Sequence, residues 1–98
     1  MSNVTIRIPT PLRSFTAGAG EVAVDAATVG EALELLGLRH DGILDRILDA
    51  DGQVRGFVNI YVGEKSIRSL DGLRSPVGGS SVISIVPAVA GGGSRGGL

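Results

Sequence analysis

The two ends of the chain's folded part carry apolar residues in the pattern of β-strands. Near the start, Val4, Ile6 and Ile8 alternate with polar residues, and residues 82–86 are apolar at four of five positions. Alternation with a period of two puts successive side chains on opposite faces of a strand. A strand that is apolar on both faces suits the centre of a sheet. We therefore predict a central last strand, with the first strand as its neighbour.

One segment between these strands has the pattern of an amphipathic helix. Thr28 and Glu31 have the spacing of a capping box, in which each side chain satisfies backbone N–H groups at the helix start. Gly37 stands where a C-cap glycine would end the helix. The apolar residues that follow the cap recur at helical spacing and predict one buried face, formed by Val29, Ala32, Leu33 and Leu36.

The remaining elements complete an α+β pattern. We predict a short strand over 21–24 that pairs with the first strand, a short second helix over 41–48, a strong strand over 57–62 and a minor strand over 66–68. The order β-β-α-(short α)-β-β, with a mixed sheet and one main helix packed on one face, predicts the ubiquitin-like β-grasp fold. The predicted core is Val4, Ile6, Val24, Val29, Leu33, Leu36, Val58, Ile60, Ile83 and Ile85.

The amino-acid composition of the chain excludes several classes of function. A chain of 98 residues allows one domain, and its formal charge of −1 gives no basic surface for nucleic acid or an anionic membrane. There is no Cys and one His, which excludes thiol nucleophiles and multi-His metal sites. No apolar run approaches the ~20 residues of a membrane span, and no signal peptide is evident at the start. We expect a cytoplasmic domain that is not an enzyme and holds no metal or cofactor of its own.

The last eleven residues form a separate segment. Five of them are Gly, so we predict a β-grasp domain over 1–87 and a flexible Gly-rich tail over 88–98. Such a tail is either a linker or a slim thread that carries a terminal carboxylate into another protein's catalytic centre, since glycine has no Cβ to obstruct a narrow channel.

Two motifs decide between these interpretations by resemblance. The strand Phe-Val-Asn-Ile-Tyr-Val over 57–62 and the ending Ile-Ser-Ile-Val-Pro-Ala-Val-Ala-Gly-Gly over 83–92 resemble the ubiquitin-like sulfur carriers of the ThiS and MoaD superfamily, and within it the branch that serves cysteine biosynthesis. The start of the chain and the capped helix also fit, so the resemblance covers residues 3–92.

The resemblance implies a protein cosubstrate and a set of partner enzymes. A ubiquitin-activating-like adenylyltransferase would use ATP to adenylate the carboxylate of the terminal Gly, and a sulfur donor would convert it to a thiocarboxylate. In cysteine biosynthesis the sulfur would then pass to an aminoacrylate on a PLP-dependent cysteine synthase, and a JAMM-type metalloprotease would release cysteine. The alternatives are the small subunit of molybdopterin synthase and a ubiquitin-like protein modifier.

The attachment site implied by the resemblance is Gly92, preceded by Gly91. The chain continues through 93–98, so a peptide bond occupies the carbonyl of Gly92 until those six residues are removed. The other interpretations are that the extension is not native or that Gly97 is the mature end. We favour Gly92 because its six-residue distance from Val86 resembles the reach of ubiquitin-like tails, which Gly97 would exceed by five residues.

A partner-binding surface is predicted beside this tail. The side chains of Phe57, Asn59 and Tyr61 lie opposite the core-facing residues of their strand, and aromatic residues are enriched in interfaces. The alternative is that the second helix or a loop covers them. With the residues that lead into the tail, the predicted partner-binding set is Phe57, Asn59, Tyr61, Val86, Pro87, Ala88, Val89 and Ala90.

Overall fold

The structure, a computed structural model, describes residues 3–87 and contains one five-stranded sheet. Three 3-10 helices connect segments of the chain, at Thr10–Thr16, Ile67–Ser69 and Gly72–Arg74. The strands and α-helices are β1 (Asn3–Arg7), β2 (Glu21–Asp25), α1 (Val29–Arg39), α2 (Leu44–Ile47), β3 (Val58–Val62), β4 (Lys65–Ser66) and β5 (Val82–Pro87). Within the sheet, the strands lie in the order β2-β1-β5-β3-β4.

The last strand lies at the centre of the sheet, as predicted. It runs parallel to β1, with Ile6 opposite Ile83, and antiparallel to β3, with Ile60 opposite Ile85. The sheet is therefore mixed, and α1 packs on one of its faces. This arrangement confirms the α+β class and the β-grasp fold.

The core lies between α1 and the sheet. All ten residues predicted for it are buried, and Leu33 and Leu36 of α1 are at most 1% exposed. The sequence pattern missed further buried residues because several lie outside regular elements, where no periodicity marks them. These additional core residues are Ile8, Val22, Ala26, Ile43, Ile47, Ile67 and Val77, while Ala32 is buried as its helical spacing predicted.

The start of α1 is capped as predicted, but its end is not. The Glu31 backbone N–H donates to Thr28 Oγ1 at 3.1 Å, and Glu31 Oε1 accepts from the Ala27 N–H at 2.7 Å. The prediction that Gly37 ends the helix is wrong, because α1 continues to Arg39. Gly37 instead lies against Leu44 of α2, whose side chain occupies the space that a Cβ at position 37 would need. The glycine allows the two helices to approach closely.

Two predicted elements are shorter than expected, and one connection contains a helix. The minor strand consists of Lys65 and Ser66 alone, since the chain then turns into a 3-10 helix that buries Ile67. The second helix is limited to Leu44–Ile47. The connection after β1, which contains Pro9 and Pro11, forms the seven-residue 3-10 helix at Thr10–Thr16. This helix lies beside the end of β5, which is the region where the predicted site begins.

Candidate functional site

The predicted site begins at the end of β5, where the described portion of the chain stops. Pro87 is the last residue of β5 and pairs with Val58 at the start of β3. The earlier residues of β5 pair with β1 on its other side. Pairing on both sides thus covers the first half of β5, and its end is held by β3 alone. Ala88, Val89, Ala90, Gly91 and Gly92 lie outside the described residues.

Three of the predicted partner-binding residues share the face of the sheet opposite α1. Asn59 on β3 pairs with Val86 on β5, and Tyr61 pairs with Ser84, so these side chains form neighbouring rows. Val86 is 44% exposed, and Asn59 and Tyr61 are half-buried. We call the surface of Asn59, Tyr61 and Val86 the open-face patch.

One charged side chain is fixed at the border of the open-face patch. Arg68 donates from Nη1 to Asn59 Oδ1 and from Nη2 to the Val58 carbonyl, each at 3.2 Å. These two bonds orient the Asn59 amide and hold a guanidinium beside the patch. Arg68 follows Ile67 in a 3-10 helix, and no periodicity in the sequence placed it near β3. The contact depends on how the connection after β4 packs against the sheet.

The two other described residues of the predicted set, Phe57 and Pro87, line a separate groove. Phe57 precedes β3 and is 55% exposed, and Pro87 continues the row of Ile85 on the α1 side of β5. The groove has a volume of about 370 Å³. We call it the β5-end groove, and it is lined by Pro11, Leu12, Asp45, Arg46, Arg55, Phe57, Val58, Ile85 and Pro87. The predicted single patch is therefore divided into two surfaces that meet at the end of β5.

Asp49, which follows α2, has a structural role. Asp49 Oδ1 accepts from the backbone N–H groups of Asp51 and Gln53, at 2.9 and 3.1 Å, and so stabilises a turn. Among residues 3–87, no group of three or more His, Cys, Asp or Glu side chains is arranged to hold a metal ion. In the same range, no helix has the length and apolar character that crossing a membrane requires.

Comparison with known proteins defines the class to which this fold and chain ending belong. The sequence profile of the ThiS family matches residues 6–92. The chain therefore belongs to the ThiS family, which confirms the resemblance to ubiquitin-like sulfur carriers drawn from its sequence. The match ends at Gly92, the residue before the extension.

Individual relatives are similar over nearly the whole chain. The sulfur carrier protein CysO of Mycobacterium tuberculosis strain H37Rv is 38% identical over 92 residues, covering 92% of this chain and 99% of CysO. The small archaeal modifier protein 3 of Haloferax volcanii is 35% identical over 68 residues, covering 69% of this chain and 73% of the modifier.

A solved structure shows the same fold in a complex. The crystal structure of the Amycolatopsis orientalis BexX/CysO complex contains a chain that superimposes with a TM-score of 0.86 at 38% identity. The alignment covers 91% of this chain and 99% of the other. A relative with this fold thus associates with a second protein, BexX.

Proposed function

We propose that this chain is a sulfur carrier that is activated at Gly92 and converted there to a thiocarboxylate, which donates its sulfur in cysteine biosynthesis. The observation that carries the proposal is the position of β5, a central strand that ends at Pro87, five residues before Gly92. Those five residues reach at most about 17 Å when fully extended. A partner that binds the folded domain beside Pro87 can therefore receive Gly92 in a catalytic centre nearby.

The activation has two steps, adenylation and sulfur transfer, and the partner enzyme catalyses both. An oxygen of the Gly92 carboxylate attacks the α-phosphorus of ATP, and pyrophosphate leaves as the acyl adenylate forms. Sulfide, delivered by a sulfur donor, then adds to the acyl carbon. AMP leaves and takes with it the former carboxylate oxygen that joined the acyl carbon to the phosphorus. The product is a thiocarboxylate, in which sulfur replaces one carboxylate oxygen. No cysteine is needed in the carrier, because the sulfur is bound to the main-chain carbon of Gly92.

Gly92 is preferred to Gly97 as the mature end for two reasons. The family profile ends at Gly92. The five additional residues would extend the tail by up to about 17 Å more, which would carry a terminal Gly97 past a centre positioned for Gly92. Residues 93–98 must then be removed before activation, because Gly92 has no free carboxylate while a peptide bond follows it.

The similarity to CysO favours cysteine biosynthesis as the pathway. The partners of the proposed cycle are a ubiquitin-activating-like adenylyltransferase, a PLP-dependent cysteine synthase and a JAMM-type metalloprotease. PLP would supply the electron sink that forms an aminoacrylate on the synthase, and this chain would present the sulfur nucleophile to it. The predicted division into a domain over 1–87 and a tail over 88–98 separates two tasks, since the domain binds and the tail reacts.

A second candidate function is protein modification. The similarity to small archaeal modifier protein 3 favours it. Both functions share the adenylation of a terminal Gly, but the activated acyl group would pass to an amine of another protein instead of to sulfide. The two are distinguished by what becomes attached to Gly92.

Mass spectrometry of a chain cut after Gly92 tests the proposal. Mixed with the adenylyltransferase of its own organism, ATP and sulfide, the cut chain should gain about 16 Da, because sulfur replaces oxygen. The 98-residue chain is the control and should keep its mass. A chain ending at Gly97 should react poorly. Gly92→Ala should impair activation without changing the folded domain, since an added Cβ obstructs a narrow channel.

Three outcomes would contradict elements of the proposal. If the 98-residue chain gains the mass without trimming, or if only the chain ending at Gly97 reacts, Gly92 is not the attachment site. If the adenylyltransferase forms no adenylate on either chain, this chain is not a carrier of the proposed kind. If the activated chain forms amide bonds with other proteins and takes up no sulfur, the modifier function replaces it.

A further inference from the structure

The β5-end groove lies beside Pro87, the last residue of β5, and combines an apolar lining with two arginines. Six of its nine lining residues are apolar, and Phe57 among them is 55% exposed. The charged residues come from α2 and the loop before β3, and they are Asp45, Arg46 and Arg55. An exposed aromatic side chain beside arginines is typical of the central, energetically important region of a protein interface.

Both arginines are held in place without a carboxylate partner. Arg55 donates from Nε to the Asp45 backbone carbonyl at 3.0 Å, and the Arg46 guanidinium lies 5.8 Å from the centroid of the Phe15 ring. The one ion pair within 4.0 Å among residues 3–87 is between Arg7 and Glu21, elsewhere on the surface. A guanidinium that is positioned but unpaired is preorganised to bind a carboxylate, often through two parallel hydrogen bonds.

We infer that the β5-end groove binds a segment of the activating adenylyltransferase in which a large apolar side chain stands beside an Asp or Glu. The inference rests on the proposed function and identifies how the partner holds the domain. The apolar side chain would fill the space between Leu12 and Phe57, and the carboxylate would pair with Arg46 and Arg55. Since Pro87 lines the same groove, this contact fixes the partner directly beside the start of the tail.

The groove's own chemistry favours such a partner over the chain's tail. Residues 88–92 contain no acidic side chain, and the one charged side chain in 88–98 is Arg95, which has the same sign as the arginines of the groove. The one anion that a tail cut after Gly92 could offer is its terminal carboxylate, which the proposed function assigns to the catalytic centre of the activating enzyme and which is therefore not free to pair with the groove. A partner carboxylate would pair with both guanidinium groups, and desolvation inside the groove would strengthen that pairing.

Charge reversal with a matched control tests the electrostatic contribution. The double variant Arg46→Glu, Arg55→Glu is compared with Lys65→Glu, Arg74→Glu, which changes the net charge equally. Lys65 and Arg74 are exposed, lie outside the groove and make no side-chain hydrogen bond or ion pair within residues 3–87. All chains are cut after Gly92 and measured by ATP–pyrophosphate exchange with the adenylyltransferase.

We expect the groove variant to change KM and to leave kcat unchanged. The groove variant should raise the KM for the carrier by about tenfold or more with kcat unchanged, while the control should change KM by less than about twofold. Arg46→Lys, Arg55→Lys keeps the charge but loses the planar fork of donors, and should give an intermediate KM. Circular dichroism should show the same fold in every variant, and the lysine variant remains informative if the glutamates disturb folding.

Photo-cross-linking identifies the occupant. Pro11 is exposed at the groove, and p-benzoylphenylalanine in its place should cross-link to the adenylyltransferase in a segment with an acidic residue beside a large apolar one. A cross-link to residues 88–92 of the same chain, or to a second copy, would overturn the inference. So would a cross-link to an enzyme segment without an acidic residue, or the absence of any cross-link to the enzyme.

The kinetic outcomes separate this inference from the proposed function. If the unmodified cut chain is adenylated but the groove variant and the control have equal KM values, the groove does not bind the enzyme and the carrier function stands. If the unmodified cut chain is not adenylated at all, the proposed function fails and the inference fails with it.

Discussion

Gly37 of α1 lies directly against Leu44 of α2, and a Cβ at position 37 would overlap the Leu44 side chain at both Cγ and Cδ1. The absence of a side chain at this position allows α2 to pack against α1. The placement of α2 in turn sets the positions of Asp45 and Arg46, which line the β5-end groove. A glycine on the main helix thus helps to shape a surface at the start of the tail.

Gly37→Ala should destabilise the domain. Alanine is the better helix residue by about 1 kcal/mol, but forcing a methyl group into a filled contact costs about 1–3 kcal/mol, so we expect a net loss in the free energy of unfolding. Urea denaturation measures it. Gly56→Ala is the control, since a Cβ at position 56 would meet open space. This variant should raise the free energy of unfolding by up to about 1 kcal/mol. If both substitutions stabilise the domain equally, α2 can move away from position 37 without a loss of stability.

Leu33→Ala should cost about 2–5 kcal/mol of the free energy of unfolding, as truncation of a buried leucine does when a cavity remains. Leu33 is 1% exposed between α1 and the sheet. Leu38 lies on the same helix and is 83% exposed, so Leu38→Ala should change stability by less than about 0.5 kcal/mol. A cost near zero for Leu33→Ala would contradict the assigned buried face of α1.

Thr28→Ala should cost about 1 kcal/mol, because it removes the hydroxyl that accepts from the Glu31 N–H at the start of α1. The loss is measurable as a lower denaturation midpoint with an unchanged slope. Thr10→Ala provides the comparison, since Thr10 is exposed and makes no side-chain hydrogen bond among the described residues. If both variants lose the same stability, the hydroxyl of Thr28 contributes nothing specific.

Val86→Asp should weaken binding of the activating enzyme if the open-face patch belongs to the interface. A carboxylate in place of a partly exposed apolar side chain beside the tail should raise the KM for the carrier by about tenfold. Ala23→Asp introduces the same charge on the same face of the sheet, on the edge strand β2, and should leave KM nearly unchanged. Equal KM values for the two variants would remove the open-face patch from the interface.

The sequence alone determined the elements whose patterns repeat locally. The alternation in β1, the helical spacing after Thr28 and the apolar run of β5 each report burial through neighbouring residues, so they predicted the central strand, the cap and ten core residues correctly. The motif at the end of the chain predicted the family in the same way, because it is a contiguous stretch of sequence.

Only the tertiary structure decided features that join distant segments. Gly37 has the sequence context of a helix end, but the turn between α1 and α2 brings Leu44 against it, and no local pattern records that contact. The β5-end groove likewise combines Leu12, Arg55 and Pro87 from three separate segments of the chain. The periodicity of apolar residues shows which face of one segment is buried and which is exposed to solvent. Which side chains from different segments meet depends on packing, and it is packing that divided the predicted binding surface in two.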